Sequence, residues 1–176
     1  MPNEQYLILN ENDDDEDNDE IARDAKDLFS SSLYYISCGD WTNARAAAAE
    51  ARDLFDELHF VKESAEARLI MGFIDYELGD FKTALPMLAS AQQQFSSVGC
   101  KDQQFATLYL LAYCHLGLEK PSKAIYTLKL AQSIIKATPQ ILESENSLNS
   151  FLPDLKKVSD SINSMLEDLL SKHPEN

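Results

Sequence analysis

The chain has 176 residues, enough for one domain with its own hydrophobic core. Hydrophobic content is an ordinary 44%, and only five Gly and six Pro stand beside abundant Ala and Leu, which favours helix over strand. A net charge of −15 repels phosphate backbones and argues against a nucleic-acid partner. No apolar run is long enough to insert into a membrane. The start "MPNEQYLILN" has neither a basic leader nor a long apolar stretch, so it does not read as a secretory signal. Three cysteines, Cys38, Cys100 and Cys114, form no CxxC pair and leave an odd number, which suits a reducing, cytoplasmic setting.

In chain order, residues 1–20 read as a disordered acidic tail. Eight carboxylates lie in "ENDDDEDNDE" at 11–20, and like charges at that density repel one another and bury nothing. Without that block the charge is near −7. Asp13, Asp15 and Asp17 have the alternate spacing of a calcium loop, but Asn18 replaces the required Gly and Asp24 the bidentate Glu. "YLIL" at Tyr6–Leu9 is a small hydrophobic anchor that could equally pack on the domain edge.

From Ile21 the periodicity becomes helical. Shifted by 40 residues, the chain aligns Trp41, Phe81 and Pro121, then Ala44, Ala84 and Ala124, then Ala51, Ala91 and Ala131, then Phe55, Phe95 and Ile135. A fixed period on this scale signals stacked supersecondary units. Gly39 and Gly79 keep the interval, while Gly117 falls two residues early, so the third turn, "GLEKPSK", is expected to be longer by two. Helices are expected at 21–38, 41–58, 62–78, 81–97, 102–117 and 121–137, the first of each pair ending near a glycine. Asp40 and Asp80 are the expected N-caps, and Pro121 suits a first helical position. Pro86 should remove one hydrogen bond from its helix. The recurrent alanines mark where antiparallel helices cross closely and only small side chains let the backbones approach.

Beyond Thr138, Phe151, Leu155, Val158, Ile162, Met165, Leu166 and Leu169 form one apolar stripe. Residues 139–172 are read as the end element of the array, two helices broken near Pro153, with a degenerate fourth repeat as the alternative and 173–176 as a tail.

The pattern resembles the tetratricopeptide repeat (TPR) family. Gly72, Gly79, Phe81, Ala84, Leu88 and Ala91 stand at that family's signature spacing. The first unit keeps Ser32, Tyr35, Gly39, Trp41, Ala44 and Ala51, with Ala48 where a larger residue is usual. The third keeps Tyr113, Gly117, Ala124, Leu128 and Ala131, with Leu110 in place of the small residue. The resemblance covers about residues 25–137. The usual repeat is about 34 residues, and the longer period here is similar to that of kinesin light chain, LGN-type adaptors and bacterial Rap regulators. The resemblance implies an all-α, right-handed superhelix of antiparallel helix pairs with a C-terminal capping helix. It also implies that the first helices of units spanning 21–138 line a concave partner-binding groove. Carried over unit by unit, the groove is Phe29, Leu33 and Ile36, then Leu69, Phe73 and Tyr76, then Thr107, Leu111 and Cys114, with Glu66 and Glu77 on its rim. None of the nine is Lys or Asn, so the carboxylate clamp of some chaperone-binding members is absent. An apolar groove suits an amphipathic helix or an extended hydrophobic segment, and the acidic rim favours a neutral or basic one. The same strip could instead be core under the cap helix, or a homodimer face.

Convergent chemistry is sparse. His59, His115 and His173 are scattered, and Cys114 and His115, as helix neighbours, point about 100° apart and do not face each other. No phosphate loop, metal-ligand spacing or nucleophile elbow occurs. The expectation is a non-catalytic adaptor or chaperone with no cofactor and no metal. One rival is a small three-repeat secretion chaperone for a hydrophobic client. Another is a chaperone of basic proteins acting through residues 1–20.

Overall fold

The computed structural model describes residues 9–143 and 154–173. Among these residues seven α-helices follow one another: α1 (Leu9–Ser37), α2 (Trp41–Glu57), α3 (Val61–Glu77), α4 (Phe81–Val98), α5 (Lys101–Gly117), α6 (Pro121–Ala137) and, after a 3-10 turn at Pro139–Glu143, α7 (Leu155–Lys172). No strand occurs among the described residues. Each helix packs on the next in sequence, and α3 also touches α5 as α5 touches α7. Contacts confined to neighbours along the chain make an α-solenoid of antiparallel pairs. In it α7 takes the place that the first helix of a fourth pair would occupy.

The alanine seam accounts for the close crossings. Ala44, Ala84, Ala124, Ala51, Ala91 and Ala131 are all fully buried, with Phe55 and Phe95 filling the space beside them. Ile135, their expected counterpart, is only half-buried, and its neighbour Ile134 turns inward instead. Asp40 and Asp80 cap α2 and α4 by accepting from the backbone N–H of Asn43 and Thr83, each at 3.2 Å. Pro121 opens α6, and α4 runs through Pro86 without a break.

The third unit corrects the sequence register. Helices end at Ser37, Glu77 and Gly117 and restart at Trp41, Phe81 and Pro121, each series 40 residues apart. The third turn is therefore no longer than the others. Gly39 and Gly79 have φ of 73° and 76°, and the residue in their place is Glu119 at φ 55°, not Gly117. Gly117 lies inside α5 for a different reason. A Cβ there would stand 2.2 Å from Cε2 of Phe81, so the glycine makes room for the ring. The small residue of the third unit is then Ala112, in series with Ser32 and Gly72.

The first helix is a second correction. It begins at Leu9, so residues 9–20 continue α1 rather than forming a disordered tail. Carboxylates are favoured beside the positive end of the helix dipole, which offsets part of their repulsion. The 29-residue α1 is longer than the 17-residue α2, and its first turns extend past their partner helix. Residues 1–8, Phe151, Pro153 and residues 174–176 lie outside the described residues. The rest of the stripe on α7 is packed inward, with Leu155, Val158, Ile162, Leu166 and Leu169 buried and Met165 half-exposed.

Ion pairs fix α2 against α3. Arg45 donates to both carboxylate oxygens of Asp75 at 2.7 and 3.2 Å, and Arg68 to those of Asp56 at 3.1 and 2.6 Å. Burial alone would raise the Asp56 carboxyl. Hydrogen bonds from Arg68 and Ser64 outweigh it and hold the group below the usual carboxylate range.

Candidate partner-binding groove

Register decides which side chains of α1, α3 and α5 occupy equivalent positions. With the true interval of 40, the counterparts of Leu69, Phe73 and Tyr76 on α5 are Tyr109, Tyr113 and Leu116. The sequence-based choice of Thr107, Leu111 and Cys114 was two residues out of step. Burial agrees with the shift. Thr107 and Cys114 are fully buried and Leu111 nearly so, whereas Tyr109, Tyr113 and Leu116 are half-exposed. The Thr107 hydroxyl donates to the Gln103 carbonyl at 2.7 Å, which satisfies it inside the core.

The expected groove on α3 is also mostly sealed. Leu69 is fully buried, and Phe73 lies edge-on to Trp41 with ring centres 6.4 Å apart. Tyr76 remains half-exposed. On α1, Phe29, Leu33 and Ile36 are half-buried, and Phe29 turns toward Phe55 of α2 at 6.3 Å. Of the two rim residues, Glu77 is exposed. Glu66 is 92% buried, with the Lys62 ammonium 3.8 Å away, so it belongs to the packed interior.

What the structure brings together is a row of aromatic rings. Tyr76 stands 6.1 Å from Tyr113, which stands 4.8 Å from Tyr109, both edge to face. The Tyr109 hydroxyl donates to that of Tyr113 at 3.2 Å. Burial, and then the Tyr109 hydroxyl, push the Tyr113 phenol well above its usual value, so it stays neutral at any physiological pH. The repeat register, read with Glu119 in place of Gly117, would have found Tyr109 and Tyr113 from sequence.

Beyond Tyr113 lies a shallow cleft of about 540 Å³, wide open to solvent, between α5 and α7. Its walls are Tyr113, Asp160, Ser161, Ser164, Met165 and Asp168. A smaller hollow of about 250 Å³ lies where α7 meets α5 and α6, beside Phe105, Ile135 and Ile162. There Gln132 donates to Asn163 at 3.0 Å and joins α6 to α7.

Burial shifts the two neighbouring ionisable groups Cys114 and His115. Burial pushes the Cys114 thiol up to about 12, so almost no thiolate exists near neutrality. Burial lowers the His115 imidazole, and the nearby Lys123 and Lys120 add to the effect. No cluster of three or more His, Cys, Asp or Glu able to hold a metal occurs among the described residues. No helix searched is long and apolar enough to cross a membrane.

Among solved structures, the chain is similar to a TPR-like protein from Chlorobium tepidum, seen in a crystal structure. The TM-score is 0.65 at 15% sequence identity, over 86% of this chain and 98% of that one. At that identity the likeness concerns the fold, an all-α, TPR-like solenoid. No family model matches the sequence, and no curated protein does.

Proposed function

We propose that the chain is a non-catalytic protein-interaction module whose inner face holds a helical or extended segment of another protein. The observation that carries this reading is the row of half-exposed rings at Tyr76, Tyr113 and Tyr109. Most other apolar side chains of α3 and α5 are sealed in the core, whereas these three tyrosines pack on it with one side and leave the other open to solvent. Tyrosine suits recognition because it offers a large, stiff contact area and little rotamer entropy to lose. Fold by itself does not settle function, so the weight rests on this surface.

The test is site-specific photo-crosslinking in native extract. A photoreactive residue replaces Tyr76 or Tyr109, and a control replaces Tyr126, which is 71% exposed on α6. The expected result is a discrete cross-linked species from both inner positions that Tyr113→Ala abolishes. Cross-links from Tyr126 alone would sink the reading and move the working surface to the second helices.

A further inference from the structure

The cleft between α5 and α7 has a composition that selects its occupant. Resting on the reading above, we propose that it is the anchoring pocket for a basic side chain, arginine or lysine, carried by the bound segment. Asp160, Ser161, Ser164, Met165 and Asp168 recur at helical spacing, so they form one face of α7 beside the buried stripe. That face looks across at the Tyr113 ring, and none of the described lining residues is basic. An aromatic ring and a thioether suit the alkyl stem of a long cation, while two carboxylates and two hydroxyls accept from its head. Both carboxylates are exposed, so an apolar side chain would draw nothing from them, and an acidic one would be repelled.

The two carboxylates differ in their present engagement. Asp160 makes no ion pair among the described residues. Asp168 accepts from Lys172 at 2.7 Å, one turn further along α7. Both members of that pair are more than half exposed, 57% and 63%, so the contact is weakly held and an incoming cation can replace it. Lys156 and Lys157 precede Asp160 by about one turn and pair with neither cleft carboxylate. The resulting picture is a neutral aromatic floor with a cation-selective pocket at its α7 end, which also fixes the direction in which a segment lies.

The test uses the full chain and a displayed library of random 12-residue peptides as the probe. Selection is run at physiological salt on the wild type, on Asp160→Asn/Asp168→Asn, and on Glu50→Gln/Glu57→Gln as a variant of equal charge change away from the cleft. The expected outcome is recovered peptides that share one Arg or Lys position. Replacing that residue with citrulline or norleucine weakens binding about tenfold or more, as does the Asp160/Asp168 variant, while the Glu50/Glu57 variant binds within twofold of wild type. Peptides with no basic preference, or a preference that survives in the Asp160/Asp168 variant, would overturn the pocket. The groove reading fails separately, if the recovered peptides bind Tyr109→Ala/Tyr113→Ala as tightly as the wild type.

Discussion

Gly72 shows how one residue sets the spacing of a helix pair. A Cβ there would meet Cγ of Leu88 at 2.6 Å and Cδ2 at 2.7 Å, so α3 and α4 approach as closely as they do only because the position is empty. In the first unit the equivalent positions hold Ser32 and Ala48, a larger residue on the first helix and a smaller one on the second. That exchange explains why Ala48 stands where the pattern wants a large residue. Overpacking by Gly72→Ala costs ~1–3 kcal/mol, opposed by ~1 kcal/mol of helix propensity, so urea unfolding should show a net loss of about 1 kcal/mol. Leu88→Ala alone should cost ~2–5 kcal/mol, and the double variant should lose less than the sum of the singles. Strict additivity would mean that the two positions do not share the space. Cys114 tests the register at the same scale. At pH 8 iodoacetamide should label exposed Cys38 and leave buried Cys114 unmodified until the protein is unfolded. Rapid labelling of Cys114 in the folded protein would restore it to the groove and refute the 40-residue alignment of α5.

At the scale of elements, the turn between α5 and α6 is the informative one. Glycine is the usual residue where the backbone turns left-handed after a helix, and a glycine lies close by at Gly117. It serves packing instead, and Glu119 accepts the left-handed conformation at φ 55°. Pattern reading therefore assigned the right residue type to the wrong job, and the error propagated to three groove residues. The first two units have Gly-Asp where the third has Glu119-Lys120. Transplanting that pair, Glu119→Gly with Lys120→Asp, should relieve the backbone and supply the missing N-cap of α6. The expected gain is about 1–2 kcal/mol in urea unfolding. A loss would mean that Lys120 does more at the end of α5 than the side chain of Asp40 does at its own turn. The start of α1 was the other element misread. Charge density argued for disorder, while the helix runs from Leu9 on the helical sequence behind it, the dipole favouring only the carboxylates of its first turn.

Across the whole molecule, stability should be distributed as in other linear arrays, each helix leaning on its neighbours. The end at α7 is covered by five buried apolar side chains, Leu155, Val158, Ile162, Leu166 and Leu169. Ending the chain after Glu143 removes them and uncovers Phe105 and the α5–α6 face. After allowing for the ordering entropy no longer lost, the expected cost is on the order of 5 kcal/mol, read as a lower urea midpoint with concentration-dependent association. An unchanged midpoint would show that α7 rests on the array without supporting it. The same deletion also removes Asp160 and Asp168, so support of the fold is separated from the chemistry of the cleft by Asp160→Asn/Asp168→Asn, which keeps the five buried side chains of α7.

The sequence by itself determined the helices, their pairing and the alanine seam, because hydrophobic period and the demand for small residues at crossings are local and repeat at a fixed interval. It also carried the aromatic row, legible once the interval is kept at 40 through Glu119. Tertiary structure alone decided which inner residues are sealed. Leu69 and Glu66 have the spacing of groove residues, yet neighbouring helices cover them. It alone decided, too, that α7 stands beside α5 and that Asp160 and Asp168 meet Tyr113 across a cleft. Those contacts join residues about 50 positions apart through a packing angle that no local pattern encodes.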